Sequence, residues 1–299
     1  MKVLLITGSY PPENCGVGDY TASLARGLAA LPGYEVHVLT SRHPDAREVA
    51  ADISGGPVIH RRISGQGITC LRQVLTVIKD IEPEITHVQY PTQGFAGKLF
   101  PWMIPLLCQL AGSRVVQTWH ESFALWRLPM VALLALVPGI TVVVRPDFLK
   151  DLHPGYNWIA HIRDVVYIRS ASSIPEARLT ESEKRELRSL YPAGKKLLVF
   201  FGFLYPGKGV DQIFEFADPL QWHLVIAGAI PEDQGYLREL QCRSRYPDWR
   251  GNVTFAGPLP AMEIAQLLAV ADGIALPFEM GGGEWNSSLQ AAIANRTFV

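Results

Sequence analysis

The chain has 299 residues, 48% hydrophobic and 18% charged, with a formal net charge of −1. This length suits one large or two medium domains, and the apolar content supports a packed core and excludes a disordered chain. A near-neutral balance offers a polyanion no grip, so no nucleic-acid partner is expected.

The opening stretch, MKVLLITGSYPP, carries an apolar run of only VLLI before a proline turn. That is not a signal peptide, and a buried first strand is expected at 2–7. Further strands are expected at 34–40, 85–89, 114–118 and 140–144. Helices at 19–31, 69–81, 99–111 and 124–136 alternate with them, the pattern of an α/β domain. In the first helix Leu24, Leu28 and Leu31 keep helical spacing. The most apolar segment, 128–144, is interrupted by Pro129 and Pro138-Gly139 and flanked by Arg127 and Arg145. A membrane span needs about 20 apolar residues, so a buried helix, a turn and a core strand are expected instead. The apolar stretch at 99–112 leaves peripheral contact with a membrane surface open.

A polar segment at 174–196, with a charged helix in its middle, reads as a solvated linker between halves. Strand–helix alternation then restarts. Strands are expected at 197–203, 222–228, 252–257 and 273–278, and helices at 209–217, 234–245, 261–271 and 286–294. Thr297-Phe298-Val299 reads as the start of a further strand, so the second domain is expected to be truncated and open to self-association. The boundaries expected are 1–170 and 171–299. Cys15, Cys70, Cys108 and Cys242 form no C-x-x-C pair and no metal-ligand spacing, which fits a reducing cytoplasm.

Two glycine-bearing loops follow strands and precede helices, PPENCGVGDY and FFGFLYPGKG. Glycine lets backbone N–H groups approach an anion at a helix N-terminus. Gly16 and Gly18 in the first loop, and Gly202 and Gly209 in the second, are the candidates, with Lys208 as the cation beside them. His120 lies just past the strand at 114–118, at the rim where α/β sheets bind ligands. His87 and Gln89 end a neighbouring strand. Gly281, Gly282 and Gly283 precede Asn286 and Ser287, either of which could cap the following helix and leave its first N–H groups for an anion. A plain tight turn, a rim histidine and a solvated lysine are the simpler alternatives for these features.

The two loops in this order, with the T-x-H-like His120 and the Lys208-Gly209 pair, resemble the GT-B glycosyltransferases, and within them retaining family 4. The resemblance implies two Rossmann-like domains facing a cleft, an acceptor-side first domain and a nucleotide-sugar-binding second domain. It implies hexosyl transfer from a nucleotide diphosphate-sugar to a carbohydrate, lipid-linked or small-molecule acceptor hydroxyl, with retention. It gives His120 a contact with the donor sugar, Lys208 one with the diphosphate, and the glycines, Asn286 and Ser287 the donor phosphates. No cofactor is implied, and no metal, since no D-x-D pair occurs. The setting implied is the cytoplasm or the inner membrane surface. The chain departs from the family pattern in three places. Phe203 or Tyr205 stands where an arginine is usual, and Gly282 and Gln290 stand where an E-x7-E pattern has its glutamates. A divergent subgroup lacks those glutamates. The departures leave open a weak or inactive homologue that binds a nucleotide or a partner. A nucleotide-sugar epimerase would need cleft carboxylates that the sequence does not offer.

Overall fold

The computed structural model describes every residue except 14, 52–54, 65–66, 91–92, 96–99, 229–234 and 280. The chain divides into two compact units, Met1–Arg169 and Ser170–Val299.

The first unit runs β1 (Lys2–Ile6), α1 (Gly16–Ala29), β2 (Glu35–Ser41), β3 (Val49–Ala51), β4 (Val58–Ile63), α2 (Ile68–Ile81) and β5 (Ile85–Tyr90). It continues with α3 (Ile104–Leu110), β6 (Arg114–Trp119), α4 (Leu128–Leu136), β7 (Ile140–Val143), α5 (Phe148–Asp151), α6 (Ile159–Ile162) and β8 (Asp164–Tyr167). Its sheet has the order β3-β4-β2-β1-β5-β6-β7-β8, parallel except for β3 against β4. Strand side chains alternate between faces. Val3 and Leu5 of β1 therefore pack on Ala22 and Ala25 of α1. Leu4 and Ile6 point the other way, into a core with Val74 and Ile78 of α2, Ile104 of α3 and Leu134 of α4. Each such aliphatic side chain stabilises the fold by about 1.5–3 kcal/mol. The sheet grows outward from β1 in both directions, so the switch point, where open sheets bind ligands, lies at the carboxyl ends of β1 and β5.

Several expectations are corrected here. The helix expected from residue 19 starts at Gly16, because Cys15 supplies the first carbonyl, accepting from Asp19 N at 2.9 Å. The helix expected at 99–111 divides into a 3₁₀ turn, Phe100–Met103, and α3, with Pro105 in the first turn of α3. The one at 124–136 divides likewise, with Pro129 opening α4 after Leu125–Arg127. Proline lacks an N–H and is tolerated only where no intrahelical bond is required. The sequence reading missed β3, β4 and β8. Arginines and histidines interrupt the apolar run of β4. Beside β8, buried Arg163 bonds Thr141 Oγ1 (2.9 Å) and the Val137 carbonyl, fastening an edge strand that has no strong apolar signal. The turn at Pro138-Gly139 forms as expected; Gly139 has φ +131°, and a Cβ there would collide with the Val115 carbonyl. Among the described residues, no helix is long and apolar enough to cross a membrane.

The second unit runs α7 (Glu181–Ser189), β9 (Lys196–Phe201), α8 (Val210–Phe216), β10 (Trp222–Ala227), α9 (Gly235–Arg243), β11 (Val253–Gly257), α10 (Ala261–Val270), β12 (Gly273–Ile274) and α11 (Ser287–Ala294). Its parallel sheet has the order β11-β10-β9-β12. Leu197 and Val199 of β9 face α10 and α11, while Leu198 and Phe200 face α8 and α9. The segment expected as a solvated linker is part of this unit. α7 packs along α10, a Thr180/Glu183 capping box starts it, and Ala177 and Tyr191 on either side lean on the core. The strand expected at 273–278 shortens to two residues, because the chain turns away at Pro277, which has no N–H to donate. Near the chain end, Phe298 O accepts from Ile274 N at 2.8 Å.

Candidate functional site

In the second unit, three backbone segments meet at the carboxyl end of β9. Gly202 has φ +152°, and its N–H donates to Ala227 O at 3.1 Å. A Cβ on Gly202 would touch Ser288 Oγ at 3.4 Å, so the first turn of α11 lies against the end of β9. Gly228, after β10, packs so close to Gly202 that a Cβ would overlap the Gly202 carbonyl. The loop from β9 to α8 passes through Tyr205 and a 3₁₀ turn, Pro206–Lys208. Gly209, at φ +64°, then starts α8 with its Cα against the Pro277 carbonyl. Both left-handed φ and lack of room restrict that position to glycine.

Lys208 is half-buried on this loop. Its ammonium sits 4.2 Å from the centre of the Phe278 ring and 5.3 Å from that of Tyr205. No carboxylate pairs with it among the described residues. Aromatic faces hold a cation without neutralising it, so Lys208 keeps its full charge for an anion.

The glycine run is closed at one end and exposed at the other. The Gly281 N–H donates to Phe278 O at 2.9 Å and closes a turn at φ +73°. The Trp285 indole covers Gly283, leaving no room for a Cβ, and Gly282 lies against Phe278. Gly283 is thus closed off by packing, whereas Gly281 and Gly282 stay exposed, with nothing within 4 Å of a Cβ on Gly281. Of the two proposed caps, Asn286 does the capping: its Oδ1 accepts from Ser288 N at 3.0 Å and Leu289 N at 3.1 Å. Ser287 is the exposed first residue of α11. Gln290 is buried, its Nε2 donating to the Glu284 carbonyl and its Oε1 without a partner among the described residues.

In the first unit, Gly16 and Gly18 occupy the first turn of α1 instead of a preceding loop. A Cβ on Gly18 would lie 3.0 Å from Ser9 O and 3.3 Å from Tyr10 Cα, so glycine here permits close helix–loop packing. The loop is pinned from both sides. Gly94 N donates to Ser9 Oγ at 3.0 Å, Ser9 Oγ donates to Glu13 at 3.0 Å, and buried Arg61 on β4 reaches the Pro11 carbonyl.

His120 follows β6 directly. Its N–H donates to Tyr90 O at 2.7 Å, its Nε2 lies 2.9 Å from Gln89 Oε1, and its ring stands edge-on to Tyr20, 4.8 Å away. Burial holds His120 down to about 3 and His87 down to about 4, so both rings are neutral. With the Gln89 amide in this orientation, Nε2 carries the proton and Nδ1 is left as an acceptor. His87 Nε2 bonds Thr118 Oγ1 at 2.7 Å, and the Tyr20 hydroxyl, raised by burial, also bonds Thr118. These groups form an uncharged hydrogen-bonded network in which Gln89 and Thr118 are buried and Tyr20, His87 and His120 are partly exposed; its exposed edge suits a hydroxyl, whereas Lys208 suits a phosphate. Sequence reasoning missed Tyr20, Thr118 and the Lys208 aromatic cage. Thr118 was accessible by parity, since it lies two residues before His120 and so on the same strand face. The remaining histidines serve structure where they are buried: His37 bridges Glu35 and His60 at 3.0 Å each. Among the described residues no group of three or more His, Cys, Asp or Glu could hold a metal.

Residues 15–193, more than half of the chain, match the model of Glycosyltransferase Family 4. No curated protein sequence matches significantly. Among solved structures, the chain is similar to a sucrose-phosphate synthase from Thermosynechococcus elongatus, with 14% identity, a TM-score of 0.73, and 99% of this chain covering 80% of that one. It is also similar to Anabaena HepE in complex with UDP and glucose, with 15% identity, a TM-score of 0.70, and coverage of 99% and 79%. A glycosyltransferase from Rickettsia africae matches with 12% identity, a TM-score of 0.73, and coverage of 99% and 77%. Likeness at these identities shows the fold, GT-B with Rossmann-like units.

Proposed function

The chain belongs to glycosyltransferase family 4, and from that membership we propose that it moves a sugar from a nucleotide diphosphate-sugar to an acceptor hydroxyl with retention of anomeric configuration. The observation that carries this reading is Lys208, an uncompensated cation on the glycine-bearing loop of the second unit. Nucleoside diphosphate is the leaving group, and a positioned charge stabilises it most as the bond breaks. The first turn of α11, beside Gly202, adds its dipole on the same side of the sheet. UDP in the HepE structure supports a nucleotide donor for this chain too.

In this mechanism the bond from the anomeric carbon to the diphosphate oxygen breaks, and the acceptor oxygen bonds that carbon from the same face. The acceptor proton passes to a departing phosphate oxygen, so no protein nucleophile is required. His120 is neutral, and its free Nδ1 accepts a hydrogen bond from a sugar hydroxyl. Asn286, already committed to its cap, acts through the helix rather than by direct contact.

Turnover of candidate acceptors, with product configuration read by proton NMR, tests the reading. An α-linked donor gives an α-linked product; a β-linked product overturns retention. In the same assay His120→Ala lowers kcat by about 10–100-fold, the loss expected when a transition-state hydrogen bond is removed, while the Kd of the nucleoside diphosphate moves by less than about 3-fold. Equal losses in both would assign His120 a structural role.

A further inference from the structure

A second cationic site lies in the first unit, at the carboxyl ends of β2 and β4. A cavity of about 200 Å³ opens there, walled by Arg42, Glu48, Arg62, Thr69, Arg72 and Gln73. We propose that it binds the phosphoryl group of a phosphomonoester, and that this group anchors an anionic acceptor. The acceptor role rests on the proposed glycosyl transfer; the anion site itself does not.

The local structure explains why arginines converge there. The ladder between β2 and β4 slips, with Thr40 opposite Arg61 and Ser41 opposite Ile63, so Arg62 has no opposite number. Such a bulge re-aims a side chain. Consecutive arginines thus part: Arg61 is buried against the Tyr10 ring and the Pro11 carbonyl, and Arg62 lines the cavity. Gln73 fixes the corner between β4 and α2, its amide bonding Ser64 N at 2.8 Å and Ser64 Oγ at 2.7 Å.

The charges in the wall do not balance. Glu48 is the cavity's carboxylate, 3.7 Å from Arg42 and 3.6 Å from Arg62. Asp80, outside the wall, takes a second contact with Arg62 at 3.2 Å. Arg72 has no acidic partner among the described residues. The Arg62 Nε–H is buried and falls short of a hydrogen bond, with Glu48 Oε1 at 3.6 Å as its ion-pair partner. A surplus of guanidinium charge calls for an anion, and guanidinium forks match phosphate oxygens. The first turn of α2, which holds Thr69 and begins without a side-chain cap, adds its dipole. The volume suits a phosphoryl head with a few further atoms, well below the room a whole drug-sized ligand occupies. The cavity shares the carboxyl edge of the sheet with His120, and Arg61 ties β4 to the loop before α1. β4 stands four places from β6 in the sheet order, about 19 Å at ~4.8 Å per strand, so an acceptor anchored there reaches the hydroxyl-binding groups only with a chain of that length.

The test is calorimetry on the full chain with glycerol 1-phosphate, beside flotation with vesicles of phosphatidylcholine alone or with phosphatidic acid. Glycerol phosphate binds, and Arg72→Gln and Arg42→Gln each weaken it by about 10-fold or more, the loss for a charge-assisted bond. Selective binding to phosphatidic acid vesicles that both variants abolish, without binding of the soluble ester, also supports the site and identifies its source as a lipid head group. Failure to bind either probe, or binding that neither variant weakens, overturns it. UDP titrated in parallel reports the donor reading separately, so loss of one does not mimic loss of the other.

Discussion

Replacing Gly228 with alanine destabilises the second unit by more than about 4 kcal/mol, in the range reserved for severe steric damage. The new Cβ would overlap the Gly202 carbonyl, and the obstacle is backbone, which no rotamer change can move. Gly202 is in turn hydrogen-bonded to Ala227 and set against Ser288, so relief on one side opens the other. Denaturant unfolding followed by circular dichroism measures the loss. Gly27→Ala is the control, because nothing lies within 4 Å of the added Cβ and the position is inside α1. There, alanine stabilises by up to about 1 kcal/mol through helix propensity. A Gly228→Ala protein as stable as the parent would mean that the strand ends and α11 are not packed as described.

Lys208→Ala weakens nucleoside-diphosphate binding by about 1.5–3 kcal/mol, or about 10–100-fold, the range for a hydrogen bond to a charged group. The lysine is held over Phe278 and Tyr205 at 4.2 and 5.3 Å, with no carboxylate to compete for it. Neither ring needs the ammonium for folding, so the variant should melt close to the parent. Calorimetry with the nucleotide and a thermal melt separate the two effects. Unchanged affinity in a folded variant would reduce Lys208 to a surface residue.

Much of the fold was legible because buried parallel strands write continuous apolar runs. KVLLI, ITHVQY and KLLVFF are strands β1, β5 and β9 almost to the residue. What escaped has a physical reason in each case. β4 carries His60, Arg61 and Arg62, whose partners lie far along the chain, so its polarity argues against a strand until Pro11 and Asp80 are seen beside it. Gly16 and Gly18 read as a loop because glycine weakens a helix, yet Gly18 is needed where α1 crosses Ser9. Gly283 read as part of an open run because sequence cannot show that Trp285 folds over it. His120 and Lys208 were accessible as residues, but their settings were not. The neutral network through Gln89, Tyr20 and Thr118 and the aromatic clamp on Lys208 are assembled from segments tens of residues apart.

The central claim, that the chain uses a nucleotide diphosphate-sugar, is tested most directly by titrating the folded protein with UDP, GDP, ADP and TDP in a calorimeter. At least one of them binds with a Kd of about 10⁻⁶–10⁻⁴ M, equivalent to roughly 5–8 kcal/mol. If the folded chain binds none of the four, the account of its function is wrong.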